Sequence, residues 1–164
     1  MNPTPALTHG IWIGLGANLG DAESTLRAAL ASLATLPSTV LRRHSRFYRT
    51  APVDAGGPDY VNAVAELASA LTPLALLDAL QSLEQAHGRA RPYRNAPRTL
   101  DLDLLLWGEQ SLTSPRLTLP HPRLHERAFV LVPLAELATE TPIPGLGTVQ
   151  DWLPTVREQR IAPI

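Results

Sequence analysis

The chain of 164 residues contains no cysteine, and because all 14 of its basic residues are arginine it contains no lysine either. The absence of cysteine excludes disulfides, thiolate metal sites and cysteine nucleophiles. The absence of lysine excludes a P-loop lysine and a Schiff-base lysine. Any phosphate that this chain binds must therefore be held by arginine or backbone amides, and any metal by oxygen or imidazole ligands.

The sequence also lacks an apolar run of membrane-spanning length and a signal-peptide pattern over residues 1–7. Its composition is 45% apolar and 18% charged, with a formal net charge of −1, which is typical of a globular protein. The length suits one hydrophobic core. We therefore expect a single domain over residues 1–164 that is cytoplasmic, monomeric and without a membrane partner.

The arginines are unevenly distributed along this nearly neutral chain. Seven of them lie between residues 89 and 127, where only four acidic residues occur. Residues 89–99 alone hold four arginines and two prolines, and such like charges repel one another unless an anion compensates them. This segment predicts a loop that binds a small anion, because nucleic-acid binding usually makes a whole domain basic.

An Asp-x-Asp pair lies within residues 98–107, a segment with the period-two pattern of a strand. The pattern places Asp101 and Asp103 on one face, roughly 6.6 Å apart along the strand, and Leu102 and Leu104 on the other. Two converging carboxylates at this spacing suit magnesium, which prefers carboxylate and phosphate oxygens. An ordinary solvent-exposed acidic pair is the alternative for such a short motif.

Hydrophobic periodicity and turn residues predict four strands and two long helices. The predicted elements are strands over 10–16, 40–50, 60–71 and 98–107, helices over 22–36 and 73–87, and a short helix that Pro133 opens and Leu137 ends. The order β-α-β-β-α-β predicts an α+β fold with a ferredoxin-like core. In this fold an antiparallel sheet carries both helices on one face, and we expect the other face to be open to ligand.

Three further patterns suggest ligand sites, each with a simpler alternative. Gly14-x-Gly16 is the start of a dinucleotide-binding fingerprint, but Leu19 stands where the fingerprint needs glycine, which favours an ordinary tight turn. Tyr60 and Asn62 share a strand face and suit a flat heterocycle, although the pair taken alone favours a packed tyrosine with a turn-facing asparagine.

The third pattern is the pair of histidines four residues apart, His121 and His125. Pro120 and Pro122 disfavour a helical zinc pair at these positions, and tetrahedral zinc needs more ligands. We therefore expect a hydrogen-bonding histidine at a nucleotide pocket.

Together the motifs match those of a known family in order and over nearly the whole chain. They are Gly14–Gly20, Ser45–Thr50, Pro58–Ala63, Gly88–Arg91, Pro97–Asp103 and Leu117–His121. With these motifs the chain resembles the 6-hydroxymethyl-7,8-dihydropterin pyrophosphokinases of folate biosynthesis.

The resemblance implies transfer of the β,γ-diphosphate of ATP to the hydroxymethyl oxygen of 6-hydroxymethyl-7,8-dihydropterin, with release of AMP. It implies a catalytic group in which Asp101 and Asp103 bind two Mg²⁺ ions and three arginines neutralise the triphosphate, namely Arg89, Arg91 and Arg98. The implied ATP site comprises Gln81, Glu84, Arg89, Arg98, Arg116, Thr118, His121 and Arg127. The implied pterin site comprises Thr50, Val53, Tyr60, Asn62 and Phe129.

The chain departs from this family at two places. Asn95-Ala96 replaces a Trp-Gly pair before the Asp-x-Asp strand, and Pro122 stands at a position that is often aromatic. These departures concern loop closure and nucleotide affinity. Two other functions remain as alternatives, an RNA-binding module of the same topology, disfavoured by the missing lysines and the two acids, and a nucleotide-binding regulator without catalysis.

Overall fold

The computed structural model describes residues 6–18, 20–51, 58–87 and 100–164. The strands are β1 (Thr8–Ala17), β2 (Thr39–His44), β3 (Tyr48–Thr50), β4 (Tyr60–Ser69), β5 (Asp101–Trp107), β6 (Leu112–Thr113), β7 (Thr118–Leu119), β8 (Pro142–Ile143), β9 (Gly147–Thr148) and β10 (Ile161–Pro163). The helices are α1 (Ala22–Leu33), α2 (Pro73–His87), α3 (Ala128–Ala138) and α4 (Val149–Trp152), with 3-10 turns at Leu124–Glu126 and Leu153–Val156.

Six of these strands form the main antiparallel sheet. Its order is β10-β3-β4-β1-β5, and β2 pairs with β4 beside β3. Two short hairpins, β6-β7 and β8-β9, lie outside it. With β2 and β3 taken as one interrupted strand, the elements up to β5 follow the predicted β-α-β-β-α-β order. The α+β, ferredoxin-like prediction is therefore confirmed.

Helices α1 and α2 cover the first face of the sheet. The Asp21 carboxylate caps α1 by accepting from the Ser24 amide at 3.1 Å, and the Thr72 hydroxyl accepts from Ala75 at 3.2 Å at the start of α2. The apolar stripes of both helices are buried against the inward side chains of β1, β4 and β5. This first core contains Leu26, Leu33, Leu76 and Leu80 of the helices and Ile13, Leu15, Leu67 and Leu102 of the strands.

The second face is partly covered, whereas the sequence predicted it to be open. Helix α3 packs on β4, and its Leu131 and Leu134 form a second core with Trp12, Val64 and Leu106. The short helix predicted from Pro133 is wrong, because α3 begins at Ala128 and contains Pro133 in its interior. Burial of the surrounding leucines offsets the roughly 3 kcal/mol that an interior proline costs a helix.

The strand predicted over residues 40–50 is interrupted at Ser45. This serine is fully buried, and its hydroxyl accepts from the Val64 amide at 3.0 Å while its own amide donates to the Val64 carbonyl at 2.8 Å. The side chain thus replaces a backbone acceptor where regular pairing stops. The interruption separates β2 from β3, and of the two strands only β3 pairs with the part of β4 that contains Asn62.

No helix among the residues that the structure describes is both long and apolar enough to cross a bilayer.

Candidate active site

The two acidic residues lie on the second face of the sheet, as the period-two pattern predicts. Asp101 lies opposite Gly16 and Asp103 opposite Gly14 in the pairing of β5 with β1. Leu102 and Leu104 point to the first core. Strand β5 then bulges, because Ile13 pairs with Leu104 but Trp12 pairs with Leu106. At the bulge Leu105 and Leu106 point into the second core, Trp107 points into the first core, and the acidic row ends after Asp103.

The residues of β1 that lie opposite the two acids are both glycines. A Cβ atom at Gly16 would lie 2.9 Å from the Asn62 side-chain nitrogen, whereas one at Gly14 would lie 3.5 Å from a Leu105 methyl carbon. Asn62 lies directly opposite Gly16 on the other side of β1. The Asn62 side chain therefore occupies the space over Gly16, the residue that lies between Asp101 and Asn62 in the sheet.

Asn62, on β4, is held in place by two partners. The Thr50 hydroxyl donates to the Asn62 Oδ1 atom at 2.6 Å, and the Asn62 Nδ2 atom lies at 3.5 Å from the Leu15 carbonyl. Asn62 and Thr50 are both only 5% exposed. A buried amide fixed in this way presents its remaining N–H and lone pair in one direction, which suits the edge of a heterocycle.

The two predicted ring residues lie on the same side of the sheet as Asn62. Tyr60 begins β4 opposite Thr50, and strand alternation puts it on the face of Asn62. Phe129 lies in the first turn of α3 at the margin of the second core, with the Arg127 guanidinium carbon 5.3 Å from its ring centroid. An aromatic ring from the sheet and one from the covering helix thus border the open part of the second face.

Sequence reasoning missed the contact that fixes α3 over this face. The Tyr48 hydroxyl donates to the Glu136 carboxylate at 2.5 Å, and the Arg46 amide donates to the same carboxylate at 3.1 Å. Burial, and then the hydrogen bond and the charge of Glu136, raise the pKa of Tyr48 to about 12. The signal available in the sequence was the alternation that places Tyr48 on the same face as Thr50.

Helix α2 contacts β5, the strand that carries the two aspartates, on the side away from β1. The Glu84 carboxylate accepts from the Leu102 amide at 2.9 Å, between the two aspartates. Since β5 is the edge of the sheet, this amide has no strand partner on that side. Glu84 therefore satisfies an edge N–H and fixes the backbone that carries Asp101 and Asp103.

Arg116 is held by α2 in this structure. Its guanidinium lies 2.5 Å from the Asp78 carboxylate and 3.2 Å from the Gln81 amide oxygen. Of these three residues, the sequence predicted Arg116 and Gln81 for the nucleotide site and missed Asp78. The structure brings all three together on the exposed side of α2, and Thr118 is exposed in β7 nearby along the chain.

His121 lies close to the acidic pair on the turn that follows β7. Its backbone amide donates to the Leu105 carbonyl at 2.9 Å, which attaches this turn to β5. Burial lowers the pKa of His121, the charge of Asp103 opposes this effect, and Arg127 and Arg123 add to the lowering. The net direction of the shift favours the neutral ring. Its Nδ1 atom accepts from the Arg123 amide at 3.2 Å, so its Nε2–H is the donor available to a ligand.

Several predicted residues fall outside the part of the chain that the structure describes. These are Arg89, Arg91, Arg98 and Val53, together with the Asn95-Ala96 departure.

The donor set at Asp101 and Asp103 suits magnesium. Within the described residues, no group of three or more histidine, cysteine or acidic side chains could hold a metal ion by itself. The two carboxylates lie beside the glycines of β1. They provide oxygen ligands and leave the rest of the coordination shell for a substrate. Magnesium sites in phosphoryl-transfer enzymes have this composition, with one or two carboxylates and substrate phosphates.

Comparison with solved structures supports the fold. Over 92% of the chain, the structure superposes with a TM-score of 0.71 at 10% identity on a protein described as HPPK-DHPS in complex with substrates. A Plasmodium falciparum HPPK-DHPS structure gives 0.70 at 12% identity, again over 92% of the chain. The chain spans less than half the length of these two proteins, 43% and 46%.

Comparison of sequences gives the family. The chain is 42% identical over 149 residues to a Synechocystis protein named 2-amino-4-hydroxy-6-hydroxymethyldihydropteridine pyrophosphokinase, covering 90% of this chain and 76% of the relative. Proteins with the same name from Haemophilus influenzae and Pseudomonas aeruginosa are 46% and 47% identical over 135 residues, covering 82% of this chain and 84% and 83% of the relatives. A family model for 7,8-dihydro-6-hydroxymethylpterin-pyrophosphokinase (HPPK) matches residues 12–139. The chain therefore belongs to the 7,8-dihydro-6-hydroxymethylpterin-pyrophosphokinase family.

Proposed function

We propose that this chain transfers the β,γ-diphosphate of ATP to the hydroxymethyl oxygen of 6-hydroxymethyl-7,8-dihydropterin and releases AMP. In this step a bond forms between the hydroxymethyl oxygen and the β-phosphorus, and the bond from that phosphorus to the oxygen of the α-phosphate breaks. The observation that carries the proposal is the row of Asp101, Gly16 and Asn62 across three neighbouring strands. This row connects an acidic pair to a fixed amide on one open surface.

Asp101 and Asp103 would hold two Mg²⁺ ions at one end of the row. When bound there, magnesium would supply positive charge for the phosphates, and the two carboxylates would hold it next to them. Glu84 fixes the strand between the two aspartates through the Leu102 amide. Its proposed contribution is thus to hold both carboxylates in position as well as to border the nucleotide.

The pterin would bind at the other end of the row. Asn62 would read the edge of the heterocycle, and Tyr60 and Phe129 would contact its two ring faces. Thr50 fixes the Asn62 amide through the 2.6 Å hydrogen bond. Val53 is proposed for this site on the family resemblance alone.

The nucleotide would lie along α2 and the turn that carries His121. Arg116 and Gln81 already lie together there, with Thr118, His121 and Arg127 on the segments that follow β5. In its favoured neutral form, the His121 ring would donate one hydrogen bond to the nucleotide and add no charge. Arg89, Arg91 and Arg98 are proposed to neutralise the triphosphate on the strength of their sequence pattern.

The reaction needs positioning and charge neutralisation more than a strong base. The row supplies the positioning, since the pterin site and the acidic pair are separated by a single strand, β1. Strand spacing of about 4.8 Å puts the two ends of the row about 10 Å apart, a span that a pterin with its hydroxymethyl group and a diphosphate can bridge. We propose that the chain acts as a monomer, because one copy contains every residue proposed to bind the metal and the substrates. We also propose that it acts in the cytoplasm.

The direct test is to mix the protein with ATP, magnesium and the reduced pterin and to identify the nucleotide product. The proposal predicts AMP that depends on the pterin and on magnesium. Formation of ADP in place of AMP would overturn the proposed reaction. No nucleotide product at all would instead favour a regulator that binds without catalysis.

The acidic pair is tested by Asp101→Asn and Asp103→Asn. Each change keeps the side-chain shape and removes a charged magnesium ligand, so we expect kcat to fall at least about a thousandfold while the protein stays folded. Glu109→Gln is the matched control, because Glu109 is an exposed acid in the turn after β5. Near-normal turnover in either aspartate variant would refute the metal-binding role.

A further inference from the structure

A second basic site lies at the far edge of the sheet from the acidic strand. A cavity of about 340 Å³ opens where β3 pairs with β10, and Arg49 and Arg160 contribute to its wall. Thr50, Ile161 and Ala162 line the rest together with Asp59 and Ala51. Thr50 of the proposed pterin site borders this cavity, whereas none of the described residues proposed for magnesium or the nucleotide does.

The strand register explains why the two arginines face each other. Arg49 pairs with Ala162, and Thr50 pairs with Ile161. Alternation puts Arg160 on the same face as Ala162 and therefore on the same face as Arg49. Diagonal neighbours of this kind lie about 7–8 Å apart between Cα atoms, so both guanidinium groups can reach one small ligand.

The two guanidinium groups form no ion pair within the described part of the chain. Neither Arg49 nor Arg160 has an ion pair or a side-chain hydrogen bond there, whereas Arg27, Arg43, Arg46 and Arg116 each pair with an acid. Like charges at this distance repel, and an oxyanion between them would reverse the sign of the interaction.

The remaining wall restricts what the ligand can be. The Asp59 carboxylate leaves the cavity with a net charge of about +1, which suits a small anion better than a polyphosphate. Ala162 and Ala51 supply apolar surface on the same face as the charged groups. From this combination we infer that the β3-β10 cavity is a binding site for a small oxyanion, phosphate or carboxylate, held by Arg49 and Arg160.

The inference is tested by titrating the full chain in magnesium-free buffer and following backbone amide resonances by NMR. The probes are inorganic phosphate, a simple oxyanion, and benzoate, which adds an apolar ring. We expect saturable shifts of the Thr50, Ile161 and Ala162 amides. Tighter binding of phosphate would identify the site as one for phosphate groups, and tighter binding of benzoate would identify a carboxylate site that uses the apolar wall.

Variants separate this site from the proposed nucleotide site. Arg160→Gln and Arg49→Gln should each raise the dissociation constant at the Ile161 and Ala162 amides about tenfold or more, and should leave the shifts near Asp103 unchanged. Arg157→Gln is the matched control, since Arg157 is an exposed arginine outside the cavity wall. Absence of saturable shifts with both probes, or binding by the two cavity variants as tight as that of the wild type, would overturn the inference. The measurement needs neither ATP nor pterin, so its outcome is independent of the proposed reaction.

Discussion

At the scale of single residues, the most informative positions are the two glycines of β1 beside the acidic pair. They look equivalent in sequence, but their surroundings differ. The space at Gly16 is closed by the Asn62 amide at 2.9 Å, and the space at Gly14 ends at the flexible Leu105 side chain at 3.5 Å. Of these two positions in β1, only residue 16 therefore requires glycine on steric grounds.

Gly16→Ala is expected to damage the proposed pterin site selectively. The added methyl group forces the Asn62 amide away from Thr50, and loss of that hydrogen bond should raise KM for the pterin about tenfold with little change in KM for ATP. Steady-state kinetics with each substrate varied in turn measures the effect. Gly14→Ala is the control and should change pterin KM by less than about twofold, and equal effects of the two substitutions would contradict the steric argument.

Asp78 is expected to compete with the nucleotide for Arg116. The two side chains are exposed and lie 2.5 Å apart, so binding of a phosphate by Arg116 has to break an existing ion pair. Because exposed pairs are worth about 0–1 kcal/mol, Asp78→Asn should lower KM for ATP up to about fivefold and leave the melting temperature nearly unchanged. Glu23→Gln breaks a comparable exposed pair with Arg27 and should leave KM unaffected. An unchanged or raised KM for ATP in the Asp78 variant would contradict competition between Asp78 and the nucleotide for Arg116.

At the scale of elements, the position of α3 over the sheet depends on its contact with β3. Tyr48 is 6% exposed, and its hydroxyl donates to Glu136. Tyr48→Phe leaves a carboxylate with one partner fewer and should lower the free energy of unfolding by about 1–3 kcal/mol. Urea unfolding of the two proteins at pH 8 measures this difference, and a value near zero would show that the hydrogen bond from Tyr48 to Glu136 does not hold α3 on the sheet.

The same contact gives a pH dependence with a defined sign. The pKa of Tyr48 is raised from 10.0 to about 12 in the folded chain, so the neutral hydroxyl is favoured by folding. Its contribution is complete below pH 10 and is lost as the pH rises through about 12. The difference in stability between the wild type and Tyr48→Phe should therefore be constant from pH 6 to pH 9 and shrink above pH 10. A difference that grows with pH would contradict the assigned cause.

The elements that the sequence predicted well are those with a strong local signal. The helix from Pro73 to His87 has a capping threonine and a regular apolar stripe, and the strand with Asp101 and Asp103 has strict alternation up to its bulge. The errors occurred where tertiary contacts override local rules. Ser45 interrupts a strand by bonding to Val64, and α3 includes Pro133 because its neighbours are buried against the sheet.

The candidate site shows the same division. The residue types and their spacing predicted that Asp101 and Asp103 share a face, and the structure confirms that arrangement. Asp78 and Glu136 were not predicted, because each acts on a residue 38 or 88 positions away along the chain. Pairings over such separations have no local pattern, and only the folded sheet brings the partners together.

At the scale of the whole molecule, one sheet supports two cores. Its first face packs against α1 and α2, and its second face packs against α3 and the segments that follow it. The proposed ligand surface lies on the second face, in the part that α3 leaves uncovered. Because the same strands contribute side chains to both cores, the loss of one core should remove the support of the other.

We therefore expect the chain to unfold in a single transition whichever core is weakened. Leu131→Ala in the second core and Leu26→Ala in the first both truncate fully buried side chains, and each should cost about 2–5 kcal/mol. Leu74→Ala is the control, because Leu74 is 40% exposed and should cost less than about 0.5 kcal/mol. Urea unfolding can be followed by two independent measures. Tryptophan fluorescence reports on the packing of both cores, because Trp107 lies in the first core and Trp12 in the second, and far-UV circular dichroism reports on secondary structure. Coincident curves in all variants would confirm one cooperative unit, whereas an early fluorescence change in the Leu131 variant alone would show that α3 and its core unfold separately from the sheet.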